Sequence, residues 1–400
     1  MVKSSIIGQA EPSMISVRKP TSQRVLICRS NPIAPDPRVE KEACALASAG
    51  YPVRALGWDR TAALPLQETR AGWEIVRLPI RADFGHGIGN LPQLLRWQWG
   101  LWRWLVCHRQ EYDLIHACDF DTILPSLLAK FLWRKPVIYD IFDFYAEHLR
   151  RTPGWIKSLI RRVDLWAINH ADALILADDS RREQISGAHP RRLTVIYNSP
   201  EDVLGTLKRE DLRPPGSQLH LAYIGLLQVE RGLLQMLEVL RLHPKWTLAL
   251  AGFGGDQEHI LNLAQALPNV AWHGLIPYER SLQLSASADA LFATYDPAIP
   301  NHRYSSPNKI FEAMMLGKPC VVARGTNMDR IIRQADCGLV VRYGDVGELE
   351  AALSRLAEEP ALRQRLGENG RRAYEATYDW QLMRQHLLAL YADLIRTNLR

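Results

Sequence analysis

The sequence predicts an α/β protein of two doubly wound, Rossmann-like domains facing a central cleft, and three observations lead there. Apolar runs of strand length alternate with helical patterns from end to end, as in parallel sheets covered by helices. Residues 199–218 interrupt that series with Pro200, Gly205, Pro214, Pro215 and Gly216 among charges, which is linker composition. A chain of 400 residues, 47% apolar and 23% charged, can bury two cores and is too long for one.

In the first half, strands are expected at Arg24–Cys28, Pro52–Leu56, Asp113–Ala117, Val137–Asp140, Ala173–Ala177 and Leu193–Tyr197. Helices fall between them near Arg38–Ala49, Leu91–Arg109, Ile123–Leu132 and Trp155–His170. Asp36-Pro37 supplies an N-cap followed by proline at the first helical position. The second half repeats the scheme. Its strands are Leu219–Ile224, Thr247–Ala251, Val270–His273, Ala290–Thr294, Cys320–Ala323 and Leu339–Val341, with helices including Gly232–Leu242 and Gln257–Ala266. The expected division is a loose tail at 1–22, a first domain at 23–198, the linker, and a second domain at 219–379. Two such sheets place a crevice between their carboxyl ends, where ligands bind in these folds.

Composition narrows the function classes. No apolar run approaches the ~20 residues that span a bilayer, and residues 1–22 are mixed and polar, unlike a signal segment. The six cysteines are scattered without CxxC pairs, which fits free thiols in a reducing cytoplasm and gives no metal site. The net charge of +6 suits an anionic partner such as a nucleotide, a lipid phosphate or a membrane surface. Nucleic acid is not expected, since no recognised module combines basic blocks with stacking aromatics.

Residues 305–323, SSPNKIFEAMMLGKPCVVA, carry the most chemistry. Ser306 can cap a helix whose first position is Pro307. Ile310, Phe311, Met314 and Met315 form its buried stripe, and Gly317 with Pro319 ends it. Lys309 and Glu312 share a second face near the helix start. Free amides and a cation there suit phosphate oxygens, and a carboxylate suits paired ribose hydroxyls. A capped helix with a solvated Lys and Glu fits the same spacing. Gly225 ends a strand and Arg231 precedes the next helix, a second diphosphate turn. Gly252-Phe253-Gly254-Gly255 gives a third turn without GxGxxG spacing. The turn after the first strand reads Ser30-Asn31-Pro32, and its proline offers no amide, which disfavours a dehydrogenase.

These segments resemble retaining GT-B glycosyltransferases, in particular glycosyltransferase family 4. The resemblance runs through YIGLLQVERGL, LALAGFGG, NVAWHGLIP, ADALFATY, the 305–323 motif, CGLVVRYGD and RAYEATYDW. In the first half it runs through DPRVEKEACALASAGYPV, YDLIHACDFDT and VIYDIFDFY. It spans roughly Arg24 to Arg400 and implies a GT-B fold whose final helix, 380–400, packs back on the first domain.

By that resemblance Lys309 and Arg231 match the cations on the donor diphosphate, although the family more often has Lys at the second position. Glu312 matches the second glutamate of a Glu-x7-Glu pattern, the one that accepts ribose hydroxyls; the first falls at Tyr304 and is missing. Gly225, Gly252 and Ile276, with Ser306, Pro307 and Asn308, fall on the donor side. His116 matches the first of a His-x-His pair, whose second member is replaced by Cys118. Asp143 stands where the family has an acid facing the acceptor, and Arg38 and Asp119 fall on the same side.

The implied reaction transfers a sugar from a UDP- or GDP-sugar, with retention, to an acceptor sugar or lipid-linked sugar, with no cofactor or metal. The departing diphosphate then helps deprotonate the acceptor, and fixed cations stabilise its charge. An epimerase on the same fold and an inactive glycosyltransferase-like binding protein are the rival readings. Trp with Arg or Lys in Leu91–Arg109 and Trp155–His170 is interface-helix composition. The first of these helices is apolar nearly all round and is expected to pack on the sheet. The second, with Arg150 and Arg151 before it, could equally meet an anionic membrane surface at the inner face of the cell membrane.

Overall fold

The computed structural model describes residues 23–82, 91–148, 152–208 and 210–398. The expected tail at 1–22, and Arg150 and Arg151, lie outside these residues. The first sheet comprises β1 (Val25–Arg29), β2 (Val53–Asp59), β3 (Gln67–Arg70), β4 (Trp73–Pro79), β5 (Leu114–Cys118), β6 (Val137–Ile141), β7 (Ala173–Leu176) and β8 (Leu193–Val195). Their order is β3-β4-β2-β1-β5-β6-β7-β8. All neighbours are parallel except β3 and β4. The second sheet comprises β9 (Leu219–Leu226), β10 (Trp246–Phe253), β11 (Val270–Trp272), β12 (Ala290–Ala293), β13 (Cys320–Ala323) and β14 (Gly338–Val341). Its order β11-β10-β9-β12-β13-β14 is doubly wound and reverses between β9 and β12. A crevice opens at such a reversal, and side chains at the strands' carboxyl ends reach it.

The β3–β4 hairpin has no counterpart in the sequence expectation. Strand β3 reads Gln-Glu-Thr-Arg and carries no apolar residue, so no hydrophobic periodicity marks it. Tertiary contacts hold it instead. Arg77 of β4 is buried, donating to the carbonyls of Pro32 and Pro65 and to Glu68 of β3.

The helix Leu91–Cys107 packs on the sheet as expected, but by one face although it is apolar nearly all round. Trp97, Leu101, Trp104 and Leu105 are buried, with Trp97 stacked on Trp58 at 5.4 Å between ring centroids. Leu91, Leu95 and Trp99 remain exposed. At the chain's end, helix Trp380–Asn398 lies against the first sheet. Trp380, Met383, Leu387, Tyr391 and Leu394 share one core with Val25, Ile27 and Leu46.

Two side chains place an acid inside this first lobe. Asp164 is buried and accepts from the Tyr139 hydroxyl at 2.7 Å. Burial pushes its carboxyl up to about 7. An acid whose folded pKa exceeds its unfolded value stabilises the fold at low pH and loses that contribution as pH rises through the folded pKa. Asp164→Asn keeps the acceptor and removes the charge. Its stability relative to wild type is expected to improve by about 1 kcal/mol or more between pH 5 and pH 8, read from urea midpoints at each pH.

Candidate active site

The second sheet's reversal point gathers the motif residues. One residue before the ends of strands β9 and β10 stand Gly225 and Gly252, which are register partners with φ of +149° and +137°. A Cβ on Gly252 would stand 1.8 Å from the Gly225 carbonyl oxygen. The strands can therefore close together only with glycine at that position. Beyond them helix Asn308–Met315 begins. Its first turn leaves amides without intrahelical partners. The expected Ser306 cap is shifted: Pro307 occupies the N-cap with extended backbone (φ −70°, ψ 150°), the helix starts at Asn308, and Ser306 is buried behind it. Proline's fixed φ serves the extended position as well as the first helical one. Gly317 ends the helix at φ +66°.

Lys309 turns inward from that helix. Its Nζ lies 3.4 Å from the centroid of the Tyr223 ring and 5.8 Å from that of Tyr295. It has no hydrogen-bond partner among the described residues. Burial, reinforced by Arg231, holds the ammonium well below the usual lysine range. Arg231 ends the short turn Val229–Arg231, and its guanidinium lies 4.2 Å over the Tyr295 ring. Its Nε donates to Gln228 Oε1 at 3.1 Å. The turn is held by Asp256, which accepts from the Val229 amide at 2.9 Å. Gly232 follows at φ +74°, where a Cβ would meet Thr294 Oγ1 at 2.0 Å.

Glu312 lies one turn after Lys309, with the Tyr278 hydroxyl beside its carboxylate. Burial raises its carboxyl, and Tyr278, Lys309 and Lys41 draw it back. Lys41 comes from the first lobe, where its Nζ donates to the Ser199 carbonyl. Arg231 and Glu312 thus both act electrostatically on Lys309, and the two cations lie against the rings of Tyr223 and Tyr295. Asn308 and Ile276 are part-buried. Tyr304 faces the carboxylates of Glu183 and Glu147 in the first lobe, and burial together with these acids raises its hydroxyl, so the position of the missing glutamate looks toward acids on the opposite side.

The chain matches a family model described as Glycosyl transferase 4-like domain over residues 35–199. A second model, Glycosyl transferases group 1, matches residues 206–373. The chain belongs to the group 1 glycosyltransferases. Among curated relatives, glycogen synthase of Mycobacterium tuberculosis is 25% identical over 283 residues, 67% of this chain and 66% of the relative. The chain therefore spans just under two thirds of that relative. D-inositol 3-phosphate glycosyltransferase of Corynebacterium diphtheriae is 23% identical over 354 residues, 82% of this chain and 81% of the relative. Sucrose-phosphate synthase from Thermosynechococcus elongatus superposes with TM-score 0.74 at 18% identity, over 94% of this chain and all of that one. Anabaena HepE, solved in complex with UDP, gives TM-score 0.68 at 16% identity over 93% and 100%. At such identities the structures show the fold alone, which is GT-B.

The first lobe of the glycosyltransferase departs from the acceptor-side expectation. Arg38 is buried, paired in bidentate fashion with Asp140 at 2.9 and 3.1 Å and donating to the Ile196 carbonyl. His116 is fully buried between Tyr391 (2.7 Å) and Asp140 (3.3 Å). Both side chains are buried and engaged inside the lobe, because the buried acids Glu42 and Asp140 demand cationic or donor partners. His116, Cys118 and Asp140 offer atoms within 4.8 Å of one another, a convergence their spacing did not reveal. Arg38 occupies the carboxylate, Tyr391 the imidazole, and burial raises the Cys118 thiol well above its usual range. The group is a closed polar network. Asp119 and Asp143 remain at the cleft end of the sheet. Asp119, at φ +62°, pairs with Arg29 and accepts from the Phe142 amide at 2.8 Å. Asp143 is paired with Arg181 at 2.7 Å and stays partly exposed.

Tyr223, Tyr295, Tyr278 and Lys41 were not singled out from sequence. Tyr223 and Tyr295 lie within the resembling segments, yet only folding stacks them beneath two cations. Gly252→Ala is expected to lower stability by roughly 2 kcal/mol or more, since its Cβ clashes with backbone at positive φ. Thermal denaturation of the purified variant measures it.

Proposed function

We propose that this glycosyltransferase moves a hexosyl unit, with retention, from a UDP- or GDP-sugar to an acceptor sugar or lipid-linked sugar, a precursor of a polysaccharide or glycolipid. The observation that carries the reading is Lys309: a buried ammonium with aromatic rings beneath it, no hydrogen-bond partner among the described residues, and a second cation, Arg231, beside it. Two cations held together away from water are mutually repulsive, and a diphosphate relieves that repulsion. In this reading the Asn308 and Lys309 amides at the helix start add donors to the same phosphates, and Gly225 and Gly252 keep the floor clear. Glu312 exchanges the Tyr278 hydroxyl for ribose hydroxyls.

The reaction then follows from charge. The bond from the anomeric carbon to the diphosphate oxygen breaks, and negative charge grows on oxygens next to Arg231 and Lys309. These preorganised cations stabilise that charge more in the transition state than in the bound donor. The same leaving oxygen takes the acceptor hydroxyl proton as the new bond forms on the same face, which gives retention without a protein nucleophile. Asp143 is proposed to orient the acceptor from the first lobe. With the cations supplied by side chains, the reading calls on no metal or cofactor and no nucleic acid. We place the enzyme in the cytoplasm, peripheral to the inner face of the membrane.

Lys309→Ala is expected to lower kcat by about 10²-fold or more, the effect of losing one fixed charge at a developing anion. Release of nucleoside diphosphate from a panel of donors and acceptors measures it, and activity within about twofold of wild type would reject the role. A glycosyltransferase-like chain without catalysis would bind the donor and release nothing in that assay. Proton linkage gives a second check. The free lysine is depressed and a bound diphosphate raises it, so binding takes up a proton at pH values between the two states. Affinity for UDP is therefore expected to weaken as pH rises. Calorimetry in buffers of different ionisation enthalpy should detect proton uptake in wild type and none in Lys309→Ala.

A further inference from the structure

Three helices of the first lobe stand side by side and leave large apolar side chains in water. On Leu91–Cys107 the exposed residues Leu91, Leu95 and Trp99 recur at every fourth position, and Trp99 keeps 65% of its surface. On Phe120–Trp133, Leu128 and Phe131 are exposed. On Gly154–His170, Trp155 (71% exposed), Leu159 and Trp166 line one side. The rows are continuous. Trp102 stacks on Trp133 at 5.5 Å, joining the first helix to the second, and Phe131 meets Trp166 at 6.2 Å, joining the second to the third. Scattered exposed hydrophobics are ordinary, but a joined patch of this kind marks a docking surface.

Charge selects the occupant. The same helices, with the residue after the second, carry Arg96, Arg103, Arg134 and Arg162 toward solvent, and Lys157 half-buried beside them. Their acidic residues are withdrawn: Asp164 is buried against Tyr139, and the Asp121 carboxylate accepts from Ser30. An apolar stripe edged by cations and free of opposing acids is the arrangement of a helix lying in a bilayer interface. A second copy of this chain would set cations against cations. No helix of the described residues is long and apolar enough to cross a membrane, so the contact is superficial. We infer that this three-helix face docks on an anionic lipid bilayer, with Trp99, Trp155 and Leu159 entering the headgroup region. The inference does not depend on the donor-site reading, because it uses no residue of the cleft.

Sedimentation of the full chain with phosphatidylcholine vesicles, with and without about a third phosphatidylglycerol, at low and high salt tests it. Binding is expected to the anionic vesicles alone at low salt, and to fall as salt rises. The exposed double variant Trp155→Glu/Leu159→Glu should lower the partition coefficient roughly tenfold or more. Lys157→Glu/Arg162→Glu, which leaves the apolar surface intact, should do the same by reversing two charges. UDP binding and melting temperature of both variants should match wild type, which separates a docking defect from misfolding. Absence of vesicle binding at low salt, or equal binding by wild type and both variants, overturns the inference. So does a stable dimer in sedimentation velocity that either double variant dissolves.

Discussion

A buried lysine ammonium resting on a tyrosine ring is the contact on which the second lobe's architecture turns. Removing a cation from water is unfavourable unless charge or hydrogen bonds compensate, and Lys309 receives mainly the face of Tyr223. Glycines shape the backbone around it. Gly225 stands where a Cβ would lie 3.4 Å from Nζ, and Gly252 lets the neighbouring strand close beside it. Gly232 brings Arg231 against Thr294. The reversal of strand order between β9 and β12 supplies the crevice, and glycines near it let backbone segments close together beside the two cations. The strain is local, and it is tolerated because the Rossmann core beneath is fully packed.

The first lobe uses charge differently. Arg38, Glu42, His116 and Asp140 form a buried network, and Tyr391 joins it from the last helix. Burial pushes Glu42 up to about 7 despite Arg38 beside it. One result is that the chain's final helix is joined to the lobe where the chain began, through a polar contact inside an apolar interface. Arg192 pairs with Asp393 at its far end. Two strands of chain therefore cross between the lobes, one at 199–218 and one returning. Around them Arg330 pairs with Asp178, and Tyr197 packs on Phe311 and Tyr378. Phe311 belongs to the same helix as Lys309 and Glu312. A change in the angle between the lobes would thus be felt directly at that helix.

The two faces of the first lobe divide the remaining work. Its cleft end offers Asp119 and Asp143, each already partnered by an arginine, so a group entering there meets oriented carboxylates. Its helical flank offers aromatic and basic residues instead. Placing an apolar flank and a polar cleft on one rigid sheet fixes the angle at which a surface-bound acceptor would meet a donor held by the opposite lobe. The helices that carry the flank begin at the strands' carboxyl ends, as crossover helices must in a parallel sheet. The flank and the cleft are therefore neighbours by construction.

Periodicity alone settled the alternating elements, the doubly wound class and the helix at 308–315, because buried strands and amphipathic helices leave repeating apolar positions in sequence. The motif spacing likewise put Lys309 and Glu312 on one helix face. What it left undecided was which way that face points, since a solvated pair and a buried pair have identical spacing. Only packing answered, by setting Tyr223 under Lys309 and Tyr278 against Glu312. The hairpin β3–β4 was invisible for a related reason: its edge strand is polar and is held by Arg77 from a distance. Arg38 and His116 show the same limit from the other side. Their residue types suit chemistry, but long-range pairing with Asp140 and Tyr391 put them inside the protein, and no local pattern records a partner 102 or 275 residues away. Local sequence thus determined the elements and the chemical inventory, while tertiary structure decided which charges face the cleft, because burial depends on residues far apart in the chain.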